Sequence, residues 1–348
     1  MKKSTLILFV LLSFLISVQA QTDNTLVVSE NQEAELAYNK GNEFFLNNEY
    51  KKAVEKFTEA IKIKSNYYQA YYNRAYAKVY LKDYKSALDD LNKALEIKPD
   101  YANAYFGRGY VKIYMNDSKT AVRDFTKAYT LGKKDAKNYF YRGVAKFMNK
   151  NYDGALIDFT EAIKLEPNNA YAYNHRGSAQ LKLENYDAAV ADYETAIKKD
   201  PKLVAAYTNM GSAKHLMKDY DGAIEAYTKA IEIKPVDYLA YNNRGSVKFD
   251  QEKYEDALKD FQKSIELKND YALAYNNLGA AFMKLKKYED ALKQFNKAIE
   301  INGNYAEAFA NRGNAKEMLR DFDGACNDWK TAVKLGIKNP KIFTKGCK

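Results

Sequence analysis

Between Ala34 and Asn339 apolar and polar residues alternate with a helical rhythm that repeats every 34 residues. With Ala34 as position 1, positions 4, 7, 8 and 11 form an i, i+3, i+4, i+7 stripe, and positions 17, 20, 21, 24, 27 and 28 form a second. Each block is therefore expected to hold two helices. Nine blocks align without an insertion: 34–67, 68–101, 102–135, 136–169, 170–203, 204–237, 238–271, 272–305 and 306–339. Position 20 is Ala in all nine, position 8 is Gly except for Ala75, and position 27 is Ala except for Ser264. Position 24 is always large and apolar, as in Phe57, Leu91, Tyr227, Phe295 and Trp329. Small residues at 8, 20 and 27 let two helices approach closely, while aromatics at 4, 17 and 24 fill the space around them. Pro99, Pro167, Pro201 and Pro235 stand at position 32, where proline stops the second helix. One helix pair cannot cover its own apolar stripe, so neighbouring pairs must stack into a continuous core.

A bulky residue at 4, Gly at 8, Tyr at 17, Ala at 20, an aromatic at 24, Ala at 27 and Pro at 32 together resemble the tetratricopeptide repeat (TPR) family, over residues 34–339. The chain departs from the family pattern at position 7, usually Leu, and at position 11, usually Tyr. The resemblance implies an all-α fold, a right-handed superhelical solenoid of antiparallel helix pairs. It also implies that the first helices line a concave groove that holds protein or peptide ligands.

Position 7 is Arg in six blocks (Arg74, Arg108, Arg142, Arg176, Arg244, Arg312), and position 23 is Asp in the same six (Asp90, Asp124, Asp158, Asp192, Asp260, Asp328). The remaining pairs are Lys40 with Lys56, Met210 with Ala226, and Leu278 with Gln294. Paired variation of this kind points to contact, although duplication of whole repeats would also carry both residues together. The expected contact is a partly buried salt bridge joining the two helices of one block. A basic row for ligands would not require the matching Asp. Lys at position 11 (Lys78, Lys112, Lys146, Lys214, Lys248, Lys316) is expected to run outward past the same aromatics.

Positions 2, 5, 6, 9, 12 and 13 point away from the core stripe of the first helix. Position 6 is Asn in six blocks (Asn39, Asn73, Asn209, Asn243, Asn277, Asn311). An amide offers a donor and an acceptor together, which suits an extended peptide backbone whatever its side chains. The competing reading is that Asn is simply common at this position. Blocks 2 to 4 place Tyr72, Tyr76, Tyr80, Phe106, Tyr110, Tyr114, Phe140 and Tyr141 on the same face, whereas later blocks place Asn174, Ser178, Ser212, Asn242, Ser246 and Asn276 there. Large apolar patches mark binding sites, so an aromatic anchor followed by a polar track is expected. Burial of the rings against one another is the alternative.

The first residues, MKKSTLILFVLLSFLISVQAQ, combine Lys2 and Lys3, an apolar run over 5–18, and small residues before Gln21, which reads as a signal peptide over 1–20. The chain is then exported, to the periplasm or beyond the cell, with no transmembrane segment in the mature form. A polar lead-in over 21–33 follows, with Ser29 as a helix cap, and a capping helix over 340–348 closes the chain. If that helix runs antiparallel to the last second helix, Cys326 and Cys347, the only cysteines, are level with each other and pair as a disulfide.

The net charge of +10, or +8 without Lys2 and Lys3, is spread over the chain rather than gathered in a block. That distribution argues poorly for nucleic acid. There is no Ser/His/Asp grouping, phosphate-binding glycine loop or metal-ligand spacing, so neither catalysis nor a cofactor or metal is expected. His175 and His215 fall on the groove face as solvated or ligand-touching residues. The function expected is an exported interaction scaffold for protein or extended peptide. The alternative is an accessory subunit of a cell-envelope secretion or assembly machine.

Overall fold

The computed structural model describes residues 31–337 and Cys347, and every regular element among them is an α-helix. Helices α1 (31–46), α2 (Tyr50–Ile63), α3 (Tyr68–Tyr80), α4 (Tyr84–Ile97), α5 (Ala102–Tyr114), α6 (Ser118–Thr130), α7 (Ala136–Met148) and α8 (Tyr152–Leu165) form one compact unit. Helices α9 (Ala170–Lys182), α10 (Tyr186–Lys199), α11 (Val204–Leu216), α12 (Tyr220–Ile233), α13 (Tyr238–Asp250), α14 (Tyr254–Leu267), α15 (Ala272–Lys284), α16 (Tyr288–Ile301), α17 (Ala306–Met318) and α18 (Phe322–Lys334) form a second, beginning at Asn168. Each block supplies an antiparallel pair, and within each unit successive first helices, such as α3 and α5 or α13 and α15, also touch. The signal peptide, the Ser29 cap and the capping helix, Cys347 apart, lie outside the described residues. Residues 31–33, expected in the polar lead-in, are already helical. No helix among the described residues is long and apolar enough to cross a membrane.

The turn between the two helices of a block is the same nine times over. Position 15, never Gly, holds φ between 58° and 64°, from Asn48 and Lys82 to Arg320. In block 2 the Lys82 N–H donates to Val79 O at 2.9 Å and the Asp83 N–H to Lys78 O at 2.9 Å, a Schellman closure of α3. Asp83 then caps the next helix, its Oδ1 accepting from Ser86 N at 3.2 Å. Asp117, Asn151, Asp219 and Asp321 do the same at their turns. Two consecutive residues thus end one helix and start the next, which keeps the pair antiparallel. The second helix, by contrast, does not need Pro to end. It stops at position 30 before Asn269 and Gly303 as it does before Pro99. In blocks 3 and 9 it stops one residue sooner, and Gly132 (φ 97°) and Gly336 (φ 110°) take the left-handed conformation instead.

Inside eight of the nine blocks the ring at position 24 lies on the bare backbone of position 8. A Cβ built on Gly279 would stand 2.6 Å from Phe295 Cε1, and one on Gly245 2.7 Å from Phe261 Cε1. The one block with Ala at position 8, Ala75, is also the one block without an aromatic at 24, where Leu91 leaves room for the methyl group. The Ala residues at position 20 and the large residues at 24 are all buried. At position 3, Ala in seven blocks and Leu36 in the first, Asn138 is fully buried and donates to Phe125 O while its Oδ1 has no partner.

At the C-terminal end Cys326 and Cys347 are joined, with Cα atoms 5.6 Å apart and a sequence separation of 21. Two outcomes follow from this packing. Gly279→Ala should lose about 1–3 kcal/mol to overpacking, offset by up to about 1 kcal/mol of helix propensity, and adding Phe295→Leu should restore part of it. Coupling of at least about 0.5 kcal/mol in a denaturant double-mutant cycle is expected, and strict additivity would refute the contact as the limit on packing. Reduction of the disulfide should lower stability by about 3 kcal/mol at most, read as a shifted unfolding midpoint. No shift would mean that the bridge closes a loop already fixed by packing.

Candidate functional site

The arginines at position 7 are used up by the fold. Arg74 donates from Nε and Nη2 to the Asp90 carboxylate at 2.8 and 2.6 Å, and Arg108, Arg142, Arg176, Arg244 and Arg312 grip Asp124, Asp158, Asp192, Asp260 and Asp328 in the same fork, all bonds within 2.6–2.9 Å. Each guanidinium also lies over its own position 4 ring, 5.2–5.5 Å from centroids such as Tyr71, Tyr105, Tyr241 and Phe309. In four blocks the remaining Nη1 reaches back to position 25 of the preceding block: Thr58, Asn92, Thr228 and Asn296, at 2.8–3.0 Å.

Lysine at position 11 does not run outward as the sequence suggested. Lys78, Lys112, Lys146, Lys248 and Lys316 turn in to Oδ2 of the same Asp, the oxygen that also accepts from the arginine Nε, at 2.7–2.9 Å. The buried carboxylate therefore serves two cations, which desolvation favours over one. The signal was present in the sequence, because five of the six Asp blocks carry this lysine. Lys214, whose block has Ala226 in place of Asp, pairs loosely with Asp219 at 3.7 Å.

The position 6 asparagines form ties between blocks. Asn209 Nδ2 donates to Asn174 Oδ1 at 3.0 Å, Asn277 Nδ2 to Asn242 Oδ1 at 3.0 Å, and Asn311 Nδ2 to Asn276 Oδ1 at 2.9 Å. Asn73 Nδ2 donates to Tyr38 Oη at 2.9 Å and Asn42 Oδ1 at 2.8 Å. The acceptors at position 5, Asn174, Asn242 and Asn276, are buried rather than groove-facing as expected, because the next first helix covers them. Asn243 Oδ1 accepts from Asn242 Nδ2 at 3.4 Å, and Asn39 is exposed at the first block. The Nδ2 of each tying amide is thus committed, to one acceptor in Asn277 and Asn311 and to two in Asn73 and Asn209, which corrects the picture of a fully available row. The Oδ1 atoms of Asn73, Asn209, Asn277 and Asn311 carry no hydrogen bond within the protein among the described residues.

The aromatic stretch of the first unit falls into separate ring clusters, Tyr80 with Phe45 and Tyr50, Tyr72 and Tyr76 with Tyr101, and a larger one around Tyr110 and Tyr141. Tyr72 and Tyr76 lie 4.8 Å apart, Tyr110 lies 5.0 Å from both Tyr114 and Tyr141, and Phe140 lies 5.2 Å from Tyr141. Phe106 is buried against Phe125 and Tyr141. Burial pushes the hydroxyls of Tyr72, Tyr76, Tyr110 and Tyr141 above the ordinary tyrosine range. Most of these rings are half-buried on one another, but Tyr80 and Tyr114 remain 57% and 53% exposed, stacked on Tyr50 and Tyr84. Burial also lowers the pKa of His175, and His215 Nε2 meets Asp250 Oδ2 at 2.7 Å.

With this geometry in view, family models described as "TPR repeat" match residues 41–79, 76–113 and 245–286, and models described as "Tetratricopeptide repeat" match 136–169, 170–203, 204–236 and 272–305. The chain belongs to the tetratricopeptide repeat family, whose fold is typically that of a non-catalytic protein-interaction scaffold. A tetratricopeptide repeat protein from Parabacteroides merdae has the same fold at 21% identity and a TM-score of 0.57, over 73% of this chain and 97% of that one. The C-terminal part of a TPR repeat-containing protein from Cytophaga hutchinsonii matches at 20% identity and a TM-score of 0.55, over 70% and 99%. YrrB, described as a TPR protein with an unusual peptide-binding site, is 27% identical over 54% of this chain and 96% of its own, with a TM-score of 0.47. No curated protein sequence matches the chain.

Removing one partner of the buried bridge should cost far more than removing the bridge as a whole. Asp260→Ala, which strands Arg244 and Lys248, should destabilise by about 3–5 kcal/mol, and Asp260→Ala with Arg244→Leu by distinctly less. A thermal-unfolding cycle without coupling between the two sites would count against the bridge as a structural element.

Proposed function

We propose that this protein is an exported, non-catalytic scaffold that holds an extended protein or peptide segment along the first-helix face of its repeats. The observation that carries the reading is the set of fixed amides at Asn73, Asn209, Asn277 and Asn311, each held by an N–H to the neighbouring block with its oxygen left over. Fixed acceptors of this kind are the complement of the N–H groups of an extended backbone. The exposed rings of Tyr80 and Tyr114, stacked on Tyr50 and Tyr84, are suited to anchoring apolar side chains of a segment bound along the first unit. Export rests on the basic and apolar pattern of residues 1–20, and a disulfide between Cys326 and Cys347 suits the periplasm or the exterior. The partner is protein, and neither nucleic acid nor a cofactor enters the reading.

One observation favours the second reading, an accessory subunit of a cell-envelope machine. Lys119, Arg123 and Lys127 stand exposed and unpaired along α6, whereas other second helices balance their lysines with pairs such as Lys93–Glu96, Lys229–Glu232 and Lys263–Glu266. A convex basic stripe of this kind fits a fixed acidic neighbour rather than a threaded peptide.

Partner capture separates the two. Tagged protein crosslinked in its native envelope fraction should retain a partner that is lost, about 10-fold to 100-fold, by Asn209→Ala, Asn277→Ala, Asn311→Ala together, and also by Tyr76→Ala with Tyr110→Ala. Thermal melts of the variants exclude loss by unfolding. Undiminished capture by both variants, with loss on Arg123→Glu, would replace the groove reading by the convex one.

A further inference from the structure

The polar track of the second unit is not uniform. Between α13 and α15 it opens into a cleft of about 190 Å³ lined by Ser246, Phe249, Asp250, Phe261, Asn277 and Ala280. The cause is local. Position 9 carries Asn42, Tyr76, Tyr110, Val144, Ser178, Ser212, Ser246 and Asn314 in the other blocks, and only in block 8 is it as small as Ala280. The small side chain leaves space over the half-buried Phe249, and the ring of Phe261, itself buried, forms the floor of the cleft. The cleft is below the roughly 300–1,000 Å³ of a small-molecule site but above the ~150 Å³ in which a dry apolar cavity accepts benzene. It therefore has the volume for one aliphatic or aromatic side chain.

Two polar groups give that volume a direction. Asn277 stands in the lining with its Nδ2 fixed by Asn242 Oδ1 at 3.0 Å, and its Oδ1 carries no hydrogen bond within the protein. Asp250 is the single acidic residue at position 13, which elsewhere is Leu46, Tyr80, Tyr114, Met148, Lys182, Leu216, Lys284 or Met318. Its carboxylate is 46% exposed and bonded through Oδ2 to His215 Nε2. The next residue along that row, Lys284, carries the opposite charge. A cation is favoured on the α13 side of the cleft and disfavoured on the α15 side.

We propose that this cleft is the specificity pocket of the groove, taking one large apolar side chain of an extended peptide whose neighbouring residue on the α13 side is Lys or Arg. The inference rests on the peptide-holding reading. The bound residue's backbone N–H donates to Asn277 Oδ1, its side chain covers Phe249 and Phe261, and the basic neighbour meets Asp250.

A positional-scanning library of ten-residue peptides, presented to the purified full chain, tests it. The unaltered protein should enrich Leu, Ile, Met or Phe next to Lys or Arg. Ala280→Phe, which fills the cleft, should erase the apolar preference and weaken the enriched peptides about tenfold, while pooled peptides still bind through the rest of the groove. Asp250→Lys, on an exposed side chain that leaves the core untouched, should turn the basic preference into an acidic one. Enrichment that persists unchanged in both variants would overturn the pocket but leave the groove. Absence of any peptide binding by the unaltered protein would overturn the peptide-holding reading and the pocket with it.

Discussion

The close approach of one ring to one bare stretch of backbone sets the rest of this structure. Where the position 24 aromatic lies on the position 8 glycine, there is no space for a methyl group, and the distance between the two helices of a block is fixed by the thickness of a ring. The exception obeys the same limit: Ala75 is tolerated because Leu91 is narrower at the contact than Phe or Tyr. Within that spacing the alanine at position 20 is fully buried in every block. The invariant turn at position 15 then holds the pair in one register. Backbone strain at a non-glycine left-handed residue is accepted nine times, which it would not be if the closure carried no weight.

Upon this apolar frame sits a second, charged layer. A buried Asp flanked by Arg and Lys need not add much net stability. What it adds is selectivity of contact, since the Arg answers to its own block's Asp and ring and, in four blocks, to the preceding block's position 25. Blocks without the bridge show that apolar packing can take its place. Leu278 is buried at position 7 opposite Gln294, and Met210 packs with Tyr193 and Ala213. The two departures from the family pattern, at positions 7 and 11, are therefore one substitution in physical terms: an apolar pair exchanged for a charged cluster.

How much of this was legible in the sequence depended on whether a contact repeats. The helix pairs, the packing positions and the Arg–Asp pairing recur with the period, so their regularity stood in for geometry. Lysine 11 was misread because its direction is decided by a carboxylate on another helix, although its co-occurrence with Asp in five blocks was there to be counted. The burial of Asn174, Asn242 and Asn276 was not legible from one helix at all. A helical wheel assigns position 5 to the outer face, and only the next block's first helix, packed over it, makes it interior. The Ala280 cleft escaped for the opposite reason, being a local exception within a pattern read for its regularities.

The contrast between the aromatic and polar stretches then takes on a different meaning. Position 5 of one block and position 6 of the next must meet wherever two first helices stack. In the second unit they meet as amide pairs, Asn174 with Asn209, Asn242 with Asn277 and Asn276 with Asn311. In the first they meet as Tyr38 with Asn73, and as the rings of Phe106 and Tyr141 at 5.8 Å. Gly107, at position 6 of block 3, is the matching gap for the rings of Tyr72 and Tyr76. Amides and rings are thus two solutions to one stacking requirement, and most of what the sequence displays on this face serves the stack first. A ligand would meet what stacking leaves over: the unpaired amide oxygens, the outer rings of Tyr80 and Tyr114, and the opening above Phe261. Because those groups are held from behind by bonds and ring contacts within the fold, little conformational entropy remains to be lost when a segment settles against them.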